Sequence, residues 1–320
     1  MNVTAYSADA YGAPSASRSL TDLRATGTNH VALVPFWYMA SITSSTVAPD
    51  RLQTPTDASL LQARSTARGL GLNVVLKPQV DVRDGAFRGD IRPASVEAWF
   101  ASSAAMVDHY ADLATQGGAQ TLVVGDELTS MASDTTRFEA LIAGVRRRFH
   151  GRLTFAANWV QGAEQVHFWP GPRRHRGRRL HAADSRAPRS LDRRAPGVEP
   201  WVRRLAALSS RYRQPVLFTE LGYTSRQGTA SAPATEGSGA VDQISQARAY
   251  EAAYRTFASI GWFAGIYGWD WSADGHNGAT ADGSYRPGGK LAEASIRYWS
   301  GAPLSPAALV LLRSVSAAAP

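Results

Sequence analysis

Two glutamates in this 320-residue chain follow apolar runs in a way that suits acid–base chemistry. Thr121-Leu-Val-Val-Gly-Asp-Glu127 and Pro215-Val-Leu-Phe-Thr-Glu220 each read as a buried parallel strand that leads to a carboxylate, with Gly222 two residues past the second. A surface acid after a strand is the plain alternative, but the same design occurring twice favours a working pair. Two carboxyl groups about 5–5.5 Å apart across one mouth can cleave a glycosidic bond with retention. One protonates the leaving oxygen and then activates water, while the other attacks the anomeric carbon. The acid must hold its proton near neutral pH, which burial and a nearby like charge provide.

The residues at the other predicted strand ends fit a sugar. Tyr6, Trp37, Tyr38, Trp159, Tyr223, Tyr267, Trp269 and Trp271 fall there, where flat rings could lie against pyranose faces. Lys77, Asp81, Arg88, Asp126 and Asn158 could bind hydroxyls. No metal or cofactor is expected: the seven histidines are scattered, and Asp270, Asp274 and Asp282 do not match an EF-hand spacing.

These side chains need a scaffold that brings strand ends together. Strands are expected at 2–6, 30–35, 72–78, 121–124, 153–157, 215–219 and 262–271, separated by helices at 19–26, 56–68, 95–116, 134–149, 201–213, 241–260 and 288–299. Strands alternating with helices at this spacing mean a parallel sheet covered by helices. No Gly-x-Gly-x-x-Gly loop follows a strand, which weighs against an open doubly wound sheet. Polar and aromatic residues gather at strand carboxyl ends, as in a (β/α)8 TIM barrel. The reading is therefore one α/β barrel over residues 1–300, followed by an Ala/Ser/Pro/Leu-rich, loosely packed tail over 301–320.

Composition excludes other classes. Cysteine is absent, so there are no disulfides and no thiolate chemistry. No run of 18 apolar residues occurs, so no membrane partner is expected. Met1 opens directly into a strand without a signal peptide, so the protein is expected in the cytoplasm, or outside the cell if an export signal is missing upstream. The formal charge of +8 is concentrated: residues 171–199 hold nine arginines against three acids. Only two lysines, Lys77 and Lys290, occur in the chain, so a nucleic-acid surface is not expected either. Oligomeric state is left open.

The arginine-rich segment also breaks the pattern. A barrel needs its sixth strand and helix between Trp169 and Trp201, yet Leu180, Leu191 and Val198 are the only large aliphatics between 171 and 199. A codon choice for Gly171–Asp184 exists that, read one base later, gives Ala-Leu-Asp-Val-Ile-Gly-Val-Asp-Ala-Tyr-Thr-Pro-Leu, an apolar strand with a polar end. A compensated frameshift is the expectation, with the sixth strand and its helix disrupted and 171–199 irregular.

The chain resembles the mannanase-like glycoside hydrolases of family 113, in the clan of (β/α)8 retaining glycosidases. The likeness rests on Val31-Ala-Leu-Val-Pro-Phe-Trp-Tyr38, Leu76-Lys-Pro78 with Phe87-Arg-Gly89, Val124-Gly-Asp-Glu-Leu-Thr-Ser130, Ala157-Asn-Trp159, Phe218-Thr-Glu-Leu-Gly-Tyr223 and Gly268-Trp-Asp-Trp271. It implies Glu127 as acid/base, Glu220 as nucleophile and a β-1,4-linked mannan or related β-linked oligosaccharide as partner. Three departures stand against the pattern. Asp126 replaces the asparagine usual before the acid/base, Phe87 stands where Trp is frequent, and the Asp-Tyr stretch of strand six is missing. The reading kept beside hydrolysis is a catalytically impaired or non-catalytic carbohydrate-binding barrel.

Overall fold

A computed structural model describes residues 1–169, 180–184, 198–235 and 237–317. Eight parallel strands form the barrel: β1 (Asn2–Thr4), β2 (His30–Val34), β3 (Asn73–Leu76), β4 (Thr121–Asp126), β5 (Arg152–Ala157), β6 (Leu180–Asp184), β7 (Val216–Leu221) and β8 (Phe263–Gly268). Neighbours pair in chain order, with Leu33 opposite Leu76 and Leu122 opposite Leu153. The ring is closed by one continuous segment. β8 pairs with β7, and three residues later Trp271–Ser272 pairs with β1, placing Val3 opposite Trp271. Buried Asn2 ties the seam by donating from Nδ2 to the Thr219 carbonyl at 2.9 Å and the Gly268 carbonyl at 3.1 Å.

Within 171–199, expected to be irregular, the backbone of Leu180–Asp184 runs parallel between β5 and β7. The physical reason is that β5 and β7 would otherwise expose two rows of N–H and C=O groups, and an extended backbone satisfies them whatever its side chains. Residues 170–179 and 185–197, which include most of the frameshift reading, lie outside the described residues.

Helices α1 (Pro14–Ala25), α2 (Asp57–Gly69), α3 (Val96–Gly117), α4 (Thr135–Arg148), α5 (Trp159–Gln165), α6 (Val198–Tyr212), α7 (Gln243–Phe257), α8 (Leu291–Trp299) and α9 (Pro306–Ala317) surround it. Side-chain caps set their starts where the sequence indicates: Thr56, Ser95 and Asp134 accept from Ser59, Ala98 and Arg137 amides. α1 begins five residues before the expected Ser19, because Pro14 supplies a pre-set φ at the first helical position. The 301–320 stretch, read as loose, contains α9, which buries Leu312 and leaves Val310 and Leu311 exposed.

A second, two-stranded sheet stands above the barrel, Phe36–Met39 pairing in parallel with Gln79–Val82. It continues β2 and β3 past Pro35 and Pro78, so the mouth inherits two extra strand ends. On the far rim Lys290, only 5% exposed, donates to Ser225 Oγ at 2.9 Å and to the Ser284 carbonyl at 3.1 Å, joining the loops that follow β7 and β8.

Candidate active site

Glu127 immediately follows β4, and Glu220 lies one residue before the end of β7. Both are buried. Glu127 has φ +52°, the left-handed region that a side-chain-bearing residue enters at a cost of about 1–2 kcal/mol. Its amide donates to the Ala156 carbonyl at 2.8 Å, which holds the turn against β5. Gly125 makes the preceding strand fit, since a Cβ there would lie 2.6 Å from the Phe155 ring. Gly222 does the same after Glu220, where a Cβ would meet the Trp269 carbonyl at 2.5 Å.

One polar network joins the two glutamates. Arg88, on the helical turn Arg88–Asp90, donates through Nη1 to Glu127 Oε2 at 3.1 Å and lies 3.7 Å from Asp126 Oδ2. Gln79 Nε2 then donates to Asp126 Oδ2 at 2.6 Å and to Glu220 Oε1 at 2.7 Å. Lys77, 1% exposed, pairs with Glu220 directly and with Asp126 Oδ1 at 3.2 Å. Arg88 also reaches Asp81 at 3.6 Å, so this part of the mouth holds four carboxylates and two cations.

Burial decides the charge balance. It pushes the Glu220 carboxyl up to about 8, and the Asp126 and Glu127 charges add to that, while the Lys77 ammonium opposes it. The direct Lys77 contact favours the carboxylate and desolvation favours the acid; for a carboxyl only 6% exposed, desolvation is the larger effect. Burial likewise raises Asp126 above the usual aspartate range, with Lys77 acting against it.

Trp269 lies beside this network, its ring centroid 5.4 Å from Lys77 Nζ. It packs with Val34, Phe36 and Tyr38, and Tyr6, half exposed, stacks on Phe36 at 4.9 Å. Asn158 lies between β5 and α5, and Trp159 opens α5; Trp159 approaches Trp201 of α6 at 6.1 Å, and Asn158 Oδ1 is buried with no hydrogen-bond partner among the described residues.

Four of the aromatic residues expected to meet a sugar pack against other parts of the barrel. Trp37 turns outward onto His109 and Tyr110 of α3, at 6.0 and 6.2 Å. Trp271 is buried under α1, its Nε1 donating to the Ser19 carbonyl at 3.1 Å. Tyr223 is buried against Tyr250 of α7 at 5.5 Å. Along a strand, alternate side chains face opposite ways, so Trp37 points outward between Phe36 and Tyr38. Tyr267 also leaves the mouth, meeting His30 at 6.3 Å near the amino end of β2.

Sequence reasoning missed Gln79, the residue that bridges Asp126 and Glu220. The available signal was its place just past Pro78 at a strand end beside Lys77. It also missed Asp270, which accepts from Thr4 Oγ1 at 3.1 Å and lies 3.5 Å from Arg286. Among the described residues no group of three His, Cys, Asp or Glu side chains could hold a metal ion. No described helix is long and apolar enough to cross a membrane.

A parallel (β/α)8 barrel with two buried glutamates in one ion-paired network at the carboxyl ends of its strands defines a barrel glycosidase. The chain belongs to Glycoside Hydrolase Family 113, which it matches over residues 4–290. It is similar to the family 113 β-mannanase AaManA from Alicyclobacillus acidocaldarius in complex with ManMIm, with 29% identity, TM-score 0.83, and coverage of 94% of this chain and 97% of that one. A family 113 β-1,4-mannanase structure shares 25% identity with TM-score 0.85 over the same shares of both chains. A family 5 mannosidase from Rhizomucor miehei, at 9% identity, TM-score 0.53, and coverage of 98% and 94%, shares the fold alone. No curated protein matches the chain.

Proposed function

We propose that this glycosidase hydrolyses β-1,4-linked mannan or a related β-linked oligosaccharide by double displacement. Glu220 attacks the anomeric carbon. Glu127 protonates the departing oxygen, then takes a proton from the water that releases the sugar. The observation that carries this reading is the continuous Arg88–Asp126–Gln79–Lys77 network between the two glutamates. A nucleophile must be ionised when it attacks. Lys77 supplies the charge that favours this, so the Glu220–Lys77 pair is the reactive form of the site. Arg88 pairs with Glu127 at the other end of the network. Trp269, beside Lys77, is the ring best placed to receive an apolar sugar face.

The test is the anomeric outcome on mannooligosaccharides followed by proton NMR from the first turnover. The β-anomer is expected to form first, and Glu220→Ala and Glu127→Gln are expected to abolish or cripple hydrolysis with the fold retained. First appearance of the α-anomer, or wild-type rates in both variants, would overturn the assignment. Asp126, in place of an amide, favours one second reading, a barrel that binds β-linked oligosaccharides without turnover. Calorimetric binding with no release of reducing ends on any β-glycan would support that reading instead.

A further inference from the structure

Lys290 is a buried ammonium that the hydrolytic network does not use. It stands at the N-cap of α8, where a hydroxyl or carboxylate is usual and where the positive end of the helix dipole repels a cation. Burial adds a second penalty and pushes the amine below the ordinary lysine range, with Asp282 and Asp270 acting against it and Arg286 adding to it. A residue placed against two local rules marks a position chosen for something else. What the ammonium secures is a joint between two loops. Its three N–H groups face three acceptors: Ser225 Oγ at 2.9 Å, the Ser284 carbonyl at 3.1 Å and Asp282 Oδ2 at 3.6 Å. Ser225 follows Glu220 on the loop that leaves β7, whereas Asp282 and Ser284 belong to the loop between β8 and α8. Fully buried Ser225 strengthens the joint, donating from Oγ to the Asp282 carbonyl at 2.6 Å and from its amide to the Ser284 carbonyl at 3.2 Å.

We infer that Lys290 is a positioning residue for sugar binding: its ammonium clamps the two loops so that Trp269 stands as a fixed wall. The inference rests on the mannan reading proposed above. The path is short. Tyr285, next to Ser284, lays its ring against Gly222, where a Cβ would lie 3.1 Å from Tyr285 and 2.5 Å from the Trp269 carbonyl. The Tyr285 hydroxyl donates to the Pro233 carbonyl at 2.8 Å, and the Trp269 amide to the Leu221 carbonyl at 2.8 Å. The Trp269 backbone therefore moves with the clamped loops. Glu220 is tied separately by Lys77 and Gln79, so loosening the clamp reaches sugar binding before it reaches the nucleophile. An amine that loses its proton loses both its charge and one donor, so the clamp weakens as pH rises through the lowered value. The charged groups facing the ammonium are Asp282, Asp270 and Arg286; Glu293 of α8 is engaged by Arg297 and the Gly289 amide.

The test is steady-state hydrolysis of mannopentaose by the full chain. Lys290→Met, of similar length but uncharged, is expected to raise KM about fivefold and to keep kcat within about twofold of the wild type. In a Trp269→Ala background the same change is expected to move KM by less than about twofold, because residues acting through one contact do not add. The wild-type KM is expected to rise toward alkaline pH, and that rise is expected to be absent from Lys290→Met. Ser225→Ala, which removes one acceptor, is expected to raise KM in the same direction by a smaller factor, and it carries the test if Lys290→Met does not fold. An unchanged KM in the folded variants would overturn the inference. So would an effect of Lys290→Met that is equal with and without Trp269, which marks a purely structural role. If the wild type binds mannopentaose without turnover, the hydrolytic reading fails and the same comparison is made on the calorimetric Kd. Neither binding nor turnover in the wild type would remove the mannan reading and this inference with it.

Discussion

Replacing Glu220 by glutamine is expected to stabilise the protein, and to do so more strongly as the pH rises. In the folded chain burial holds the Glu220 carboxyl up to about 8, against 4.5 for an ordinary glutamate. Between those values the unfolded chain has released this proton and the folded chain still binds it, so the folded state loses stability as pH increases. The contribution is fully present below about 4.5 and is lost as pH climbs through about 8. The slope is at most about 1.4 kcal/mol per pH unit, or about 4 kcal/mol between pH 5 and 8. The amide of Glu220→Gln does not titrate, so the variant's advantage over the wild type should grow by that amount across the same window. Lys77 keeps Asp126 as a partner at 3.2 Å in the variant, so no ammonium is left unpaired. The assay is urea unfolding of both proteins at pH 5, 6, 7 and 8 at constant ionic strength. A stability difference that stays flat or shrinks with pH would mean that the Lys77 pair outweighs burial, and the charge balance argued for this site would be wrong.

Glu127→Gln is expected to slow mannan hydrolysis by about 10²–10⁴-fold while affecting an aryl mannoside with a good leaving group much less, measured as kcat for each. Asp126→Asn removes one of the two like charges that raise Glu220, so the acidic limb of the kcat/KM profile should move to lower pH; an unmoved limb would contradict the electrostatic coupling. Trp269→Ala should raise KM for oligosaccharides at least tenfold, whereas Trp37→Ala should lower the melting temperature and leave KM unchanged. Resequencing the gene across codons 171–199 should reveal two displaced single-base changes; an uninterrupted frame would remove the frameshift reading.

Much of the scaffold was legible because its signals are local. Thr56, Ser95 and Asp134 cap the helices that they were expected to open or adjoin, and Gly118 ends α3 in a left-handed turn at φ +63°. The two glutamates were legible for a related reason, since an apolar run ending in a carboxylate records both burial and its end. The orientation of the aromatics was not. Trp37, Tyr223 and Trp271 sit at strand ends as expected, but facing depends on register, and a shift of one residue exchanges mouth for helix layer. Gln79 was hidden for another reason: its role comes from bridging Asp126 and Glu220, which lie 47 and 141 positions away and meet only in the closed barrel. β6 shows the limit of reading side chains alone, because Leu180–Asp184 is held between its neighbours by backbone pairing.

The near-absence of lysine has a practical consequence. The only two ε-amines belong to Lys77, locked between Asp126 and Glu220, and Lys290, clasped by the rim loops. Succinimidyl esters, aldehyde fixatives and amine-activated resins therefore find almost no side-chain handle on the native enzyme. Its 32 arginines offer the alternative: immobilisation or labelling should be designed around guanidine-directed dicarbonyl reagents, or around a cysteine introduced into a chain that has none.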